Sequence, residues 1–289
     1  MAKIGAPVAI VTGGGSGIGQ AFCEALARRG WRVIVADRNE ANAGRVAEGI
    51  TRSGGRAAVR TVDVADERQV EELVIGTAEE RGRLDMLINN AGIAIAGEIT
   101  DIEVAEWRRV LDVNLWSQIV GCYHAMRVMR EQGFGRIVNV SSGLGLVPTA
   151  RSGAYVTSKY GSVGLSLALR PEAAAYGVKV NVICPGPVRT PILQGDTRRN
   201  EDPELRRRRM RRMERWMLTP EEAVRRYLRG LARDRAVIVG PGMTKFWWLF
   251  RLSPALVEHL VGRREMGEYF AAIGRTPRWH AKNPAEVLG

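Results

Sequence analysis

A chain of 289 residues with 45% hydrophobic and 26% charged side chains is long enough for one large α/β domain with a substantial core, which excludes wholesale disorder, a collagen-like rod and a polytopic membrane protein. The formal charge of +12 is uneven: residues 1–190 carry 22 basic and 19 acidic side chains and residues 191–289 carry 21 and 12, so the basicity belongs to the last third. Three scattered cysteines, Cys23, Cys122 and Cys184, argue against a disulfide framework and for a reducing compartment. His124, His259 and His280 show no metal-ligand spacing, so no metal site is expected. The amino terminus has no basic start followed by a long apolar run, so no signal peptide is read and a cytoplasmic protein is expected.

In chain order, a buried strand over 8–11 leads through a glycine turn into a helix over 17–29. Further strands are predicted over 32–36, 57–62, 86–89, 136–141, 178–184 and 236–239, each after a helical pattern. Short β-branched runs alternating with helices predict an α/β fold: a doubly wound, mostly seven-stranded parallel sheet with helices on both faces. No linker or repeat interrupts the series, so a single catalytic domain over 1–240 is expected, followed by an amphipathic, aromatic-rich helical extension over 241–289.

Between the first strand and first helix lies Thr12-Gly13-Gly14-Gly15-Ser16-Gly17-Ile18-Gly19. Glycines here permit positive φ, let a pyrophosphate approach backbone and let the helix pack closely on the sheet, while the helix N-terminus offers N–H groups to phosphate. Asp37 ends the second strand, 18 residues beyond Gly19. A carboxylate there accepts hydrogen bonds from both ribose hydroxyls of adenosine and repels a 2′-phosphate, so NAD is favoured over NADP. Arg38 is the counter-argument, since a guanidinium compensates a 2′-phosphate. Ser16 stands where a second basic partner for that phosphate would be needed.

Tyr155 and Lys159 are four residues apart, one helical turn, on one face. Ser142 closes a strand 13 residues before Tyr155, and Asn114 lies in Asp112-Val113-Asn114-Leu115. A phenol needs help to act as a base near neutrality. An ammonium about 4 Å away would stabilise its anion by about 4 kcal/mol at an effective dielectric of 20.

With Asp63-Val64, Asn89-Asn90-Ala91-Gly92 and Pro185-Gly186-Pro187-Val188-Arg189-Thr190 added, the sequence over 8–239 closely resembles the short-chain dehydrogenase/reductase family. The resemblance implies a Rossmann-type sheet and a nicotinamide cofactor. It places Asp63 and Val64 at the adenine, Asn90, with Ala91 and Gly92 beside it, at the adenosine ribose, and Val188 and Thr190, after the Pro185-Gly186 turn, at the carboxamide. It assigns Tyr155 as the base, Ser142 to the substrate oxygen, Lys159 to the phenol and the nicotinamide ribose, and Asn114 to a water that links Lys159 to solvent. Similar proteins are homodimers or homotetramers.

The family's substrate lid falls over 192–218 here and is rich in arginine. Met210, Met213 and Met217 recur at helical spacing beside Trp216, predicting a lid helix with its apolar face on the pocket and its arginines in water. An arginine gripping an anionic substrate tail and a basic face resting on acidic lipid are the alternatives. Nucleic-acid binding ranks last, because no DNA- or RNA-reading module accompanies the arginines. The tail run Lys245-Phe246-Trp247-Trp248-Leu249-Phe250-Arg251-Leu252 is too short to span a bilayer and suits a helix covering the substrate cleft or a neighbouring subunit ahead of a peripheral membrane contact.

The expectation is an NAD-dependent oxidoreductase interconverting a secondary alcohol and a ketone, bulky and apolar to suit a lid lined by Met and Trp. The alternative is an NAD-binding redox-sensing or membrane-surface protein on the same scaffold.

Overall fold

The structure is a computed structural model that describes residues 5–193, 197–200 and 202–272. His280 and the end of the predicted extension lie outside the described residues.

The chain starts with β1 (Val8–Thr12), α1 (Gly17–Ala27), β2 (Arg32–Asp37), α2 (Glu40–Arg52), β3 (Arg56–Thr61), α3 (Glu67–Arg81) and β4 (Met86–Asn89). A two-residue strand β5 (Ile95–Ala96) precedes α4 (Val104–Leu111) and α5 (Ser117–Gln132), which are joined through a π-helical turn over Asp112–Trp116. β6 (Gly135–Val140), α6 (Gly153–Ala174) and β7 (Val178–Cys184) follow. A lid segment holds β8 (Thr197–Arg198) and α7 (Pro203–Glu214), after which α8 (Pro220–Ala232) leads to β9 (Val237–Val239). Helices α9 (Met243–Leu252), α10 (Pro254–Val257) and α11 (Arg263–Ala272) complete the described chain.

Seven strands form one wholly parallel sheet in the order β3-β2-β1-β4-β6-β7-β9. Each predicted strand begins and ends within one residue of the observed one; the central strands, buried on both faces, read as continuous apolar segments, while the edge strand β3 (RAAVRT) is only partly covered. Alternate residues feed opposite layers. Ala9, Val11, Val33 and Val35 join Phe22 and Leu26 of α1 and Val224 and Tyr227 of α8. Val8, Ile10, Ile34 and Ile137 join Leu73 of α3, Met129 of α5 and Ala173 of α6.

After β1 the chain builds outward to β3 and then returns to β4 on the other side. This reversal opens a crevice at the carboxyl ends of β1 and β4. The unpredicted pair β5–β8 ties the segment after β4 to the lid.

Candidate active site

A cavity of about 720 Å³ runs across the carboxyl ends of six strands, from β3 to β7. Its lining includes Gly13, Ser16, Gly17, Ile18, Asp37, Arg38, Asp63, Val64, Asn90, Ala91 and Gly92. Ser142, Tyr155, Lys159, Pro185, Gly186, Val188 and Thr190 line it as well. Gly15, Gly19 and Asn114 do not: they stand behind the wall and shape it.

The β1–α1 turn is built for an anion. Gly13 and Gly17 have φ of +62° and +53°, which side chains with a Cβ rarely adopt. Helix α1 starts at Gly17 with no side-chain cap on its first N–H groups and no acidic residue in its first turn, so its positive end faces the cavity uncompensated. A Cβ on Gly19 would lie 2.1 Å from the Gly13 carbonyl, so this glycine lets α1 close on β1. Gly15 donates its N–H to Asp37 Oδ2 at 2.9 Å, and Asn39 donates its N–H to Oδ1 at 2.9 Å. The Asp37 carboxylate is thereby aimed before any ligand arrives.

Asn90 acts as a staple. Its Nδ2 donates to the carbonyls of Thr12 at 2.9 Å and Gly13 at 3.3 Å, while the N–H groups of Asn90 and Ala91 both donate to Thr12 Oγ1. Asp63 turns its own loop by accepting from the Ala65 N–H at 3.0 Å. These contacts shape the cavity end where Asp37 and Asp63 stand, and the uncapped turn beside it fits a dinucleotide's pyrophosphate.

At the other end α6 presents Tyr155 and Lys159 to the cavity. Lys159 is 3% exposed, with Nζ 5.6 Å from the centroid of the Tyr155 ring and donating to the Val140 carbonyl at 3.1 Å. Burial pushes its pKa down to about 8. An ammonium held this close to the ring favours the phenolate over the phenol. Ser142 caps the turn after β6, its Oγ accepting from the Leu144 N–H at 3.1 Å, which aims that oxygen at the cavity.

The Asn114 amide is engaged on both atoms: Oδ1 accepts from the Ile93 N–H, while Nδ2 donates to the Ile93 carbonyl and to Ser158 Oγ. Fully buried in the π-turn, it pins the 92–93 loop to α6. A Cβ on Gly92 would lie 3.3 Å from Asn114 Oδ1 and 3.5 Å from Lys159 Nζ, so this glycine keeps open the space in front of the ammonium.

The lid departs from expectation. Helix α7 ends at Glu214, so Trp216 lies beyond it and is 76% exposed, outside the cavity wall. Neither Trp216 nor Met217 lines the cavity; Leu205, Arg209, Met210, Arg212 and Met213 do. The reading that puts all the arginines in water fails because the face bearing Leu205 and Met213, eight residues apart, also carries Arg209.

The extension supplies residues that no sequence pattern flagged: Met243 from α9, and Glu268 and Tyr269 from α11. Ser141, Ser158 and Gln118 were missed too. Ser141 Oγ donates to the Lys159 carbonyl at 2.8 Å, and Gln118 Nε2 donates to the Val140 carbonyl at 3.2 Å. Trp247, Leu249 and Phe250 pack beside Val182 and Cys184 of β7, whereas Trp248 and Leu252 face outward. Among the described residues no helix is long and apolar enough to cross a membrane.

Sheet order and cavity together define a doubly wound α/β protein with its ligand crevice at the topological switch point. Residues 7–201 match the short chain dehydrogenase family, and the chain belongs to it. The cis-4-hydroxycyclohexanecarboxylate dehydrogenase of Sinomonas cyclohexanicum is 41% identical over 189 residues, 65% of this chain and 76% of the relative. The 2,5-dichloro-2,5-cyclohexadiene-1,4-diol dehydrogenase of Sphingobium indicum is 38% identical over 67% of this chain and 77% of its own. A short-chain dehydrogenase structure from Streptomyces avermitilis superposes with a TM-score of 0.75 at 25% identity, covering 88% of this chain and 96% of that one.

Proposed function

We propose that this protein is a dehydrogenase that uses NAD in preference to NADP to interconvert a secondary alcohol and a ketone on a largely apolar ring. The observation that carries the reading is the buried Lys159 ammonium 5.6 Å from the Tyr155 ring, in the cavity that Ser142 also lines. Two relatives are named for ring substrates, a hydroxycyclohexanecarboxylate and a cyclohexadienediol. Leu205, Met210 and Met213 offer an apolar wall suited to such a ring. The preference for NAD rests on Asp37, whose aimed carboxylate accepts from ribose hydroxyls and repels a phosphate in their place.

Bound NAD supplies the hydride acceptor. Tyr155 takes the hydroxyl proton as the substrate carbon gives up its hydride, and Lys159 stabilises the phenolate that makes this possible. Ser142 Oγ hydrogen-bonds the substrate oxygen and fixes its distance from the phenol. Asn114 holds the loop that shapes the space before Lys159, where the nicotinamide ribose hydroxyls would meet the ammonium. The uncapped turn of α1 receives the pyrophosphate.

A panel of cyclohexanols and cyclohexanones, followed by nicotinamide absorbance with NAD and NADP in parallel, tests the assignment. Tyr155→Phe is expected to keep NAD affinity nearly intact and to lower turnover by roughly three or more orders of magnitude. Undiminished turnover in that variant, or faster reaction with NADP, would overturn the corresponding part of the reading.

A further inference from the structure

Helix α9 is apolar over more of its surface than the core uses. Its inner side is accounted for by the packing of Trp247, Leu249 and Phe250 on β7 and by Met243, which lines the cavity and lies so close to the turn after Ser142 that a Cβ on Gly143 would stand 2.8 Å from Met243 Cε. On the outer side Trp248 is 56% exposed and Leu252 is 81% exposed. Four residues apart, they share one face of the helix. The helix breaks at Ser253, and α10, which packs on α9, exposes Leu256 as well. Apolar side chains scattered singly over a surface need no partner, but neighbouring ones on a single face mark a contact.

The charges around this face have one sign. From Met243 to Arg264 the chain carries Lys245, Arg251, Arg263 and Arg264 against a single carboxylate, Glu258. Arg264 is paired with Glu268 at 3.0 Å, whereas Lys245, Arg251 and Arg263 form no ion pair among the described residues. Lys245 precedes Trp248 by three residues and Arg251 follows it by three, so the two cations flank the exposed ring. The Arg251 guanidinium is held there over the Trp247 ring, 5.6 Å from its centroid. A second cavity, of about 380 Å³, is lined by Arg226, Arg229, Arg233 and Arg235 and reaches Pro241, two residues before α9 begins. Among the described residues no carboxylate lines it.

A second copy of the chain fits this face poorly, because a two-fold contact would set Lys245, Arg251 and Arg263 against the same groups with Glu258 alone to offset them. Nucleic acid would meet the cations but offers nothing to Leu252 and Leu256. An anionic lipid surface answers both features: its interfacial layer takes up Trp and Leu side chains, and its headgroups attract the flanking cations. We propose that α9 and α10 dock flat on an anionic membrane surface, with Trp248, Leu252 and Leu256 entering the headgroup layer and Lys245, Arg251 and Arg263 meeting the lipid anions. At about 15 Å, ten residues of helix lie along the surface and do not cross it. Docking of this kind requires no catalysis. It also brings the cavity, which Met243 lines from the inner side of the same helix, to within one helix of apolar molecules dissolved in the bilayer.

The test floats the full-length protein with phosphatidylcholine vesicles that contain or lack phosphatidylserine. Partitioning onto the phosphatidylserine vesicles is expected to be stronger by roughly 10-fold or more, and Lys245→Gln with Arg251→Gln to remove most of that difference. Trp248→Ser with Leu252→Ser is expected to weaken partitioning onto the phosphatidylserine vesicles by roughly 10-fold or more. Val104→Ser, which removes an exposed apolar side chain from α4, is expected to leave it unchanged. Circular dichroism and Tm of each variant check that it folds. No partitioning of the wild type at low salt overturns the docking surface. So does partitioning that Trp248→Ser with Leu252→Ser leaves intact, since that is the unspecific attraction of a basic protein to a negative surface. If the wild type ignores vesicles and the same two substitutions instead dissociate an oligomer or abolish binding of single-stranded DNA, the face belongs to that partner and the membrane assignment falls.

Discussion

Replacing Lys159 with Met separates what this lysine does for chemistry from what it costs the fold. Burial lowers its pKa from 10.5 to about 8, a preference for the neutral form worth about 3 kcal/mol. Between those two values the unfolded chain binds more protons than the folded one, so wild-type stability rises with pH there. Below about pH 8 the whole penalty of a buried ammonium is in force. Methionine fills a similar volume without charge and forfeits one hydrogen bond, to the Val140 carbonyl, which still accepts from Gln118 Nε2 at 3.2 Å. With about 1 kcal/mol lost for that bond, Lys159→Met is expected to be more stable than wild type by about 2 kcal/mol at pH 7. By about pH 9.5 the gap should have shrunk by about 2 kcal/mol. Urea unfolding of both proteins without cofactor at the two pH values measures this directly, and a companion turnover assay should find the variant inactive. A variant less stable at pH 7, or a gap that does not change with pH, would refute the argument that a buried charge is being carried for function.

Asp37→Ala removes the acceptor aimed by Gly15 and Asn39 and is expected to lower the NAD-to-NADP ratio of kcat/KM by roughly 10-fold or more, read from parallel kinetics. Gly19→Ala forces a Cβ to within 2.1 Å of the Gly13 carbonyl, so the turn must open. NADH fluorescence titration should show affinity weakened by roughly 10-fold or more in a protein whose circular dichroism is unchanged. Asp234, at φ +48°, accepts from Arg170, Arg136 and Asn181 at the carboxyl end of α8. Asp234→Ala should cost roughly 2–4 kcal/mol in denaturant unfolding, and Asp234→Gly about 1 kcal/mol less, because glycine accepts that backbone conformation.

The sheet was legible because its central strands are largely buried: Val8 to Val11 and Val178 to Cys184 are short runs rich in β-branched residues between turn-forming residues, at strand length. The glycine-rich β1–α1 turn and the Tyr155/Lys159 pair were legible for a different reason. Their residues are neighbours in sequence, so spacing alone puts them on one turn or one helix face. Once β-α alternation sets the strand order, the carboxyl ends of β1, β2, β4, β6 and β7 come together, and Asp37, Asn90, Ser142 and Val188 arrive at one cavity with them.

The substrate end was not legible in this way. Local pattern showed that α7 is amphipathic, but not which part of its circumference meets the cavity, and so Trp216 was placed inward and Arg209 outward. Nothing near Glu268 or Tyr269 in the chain announces that they close a pocket whose other wall begins at Arg151. The amino-acid sequence by itself determined the sheet, the glycine-rich β1–α1 turn and the Tyr/Lys pair, because those depend on burial period and short-range spacing. Tertiary structure alone decided which side chains of the lid and of the C-terminal helices line the cavity, because that depends on how separate helices settle against one another across more than a hundred residues of intervening chain.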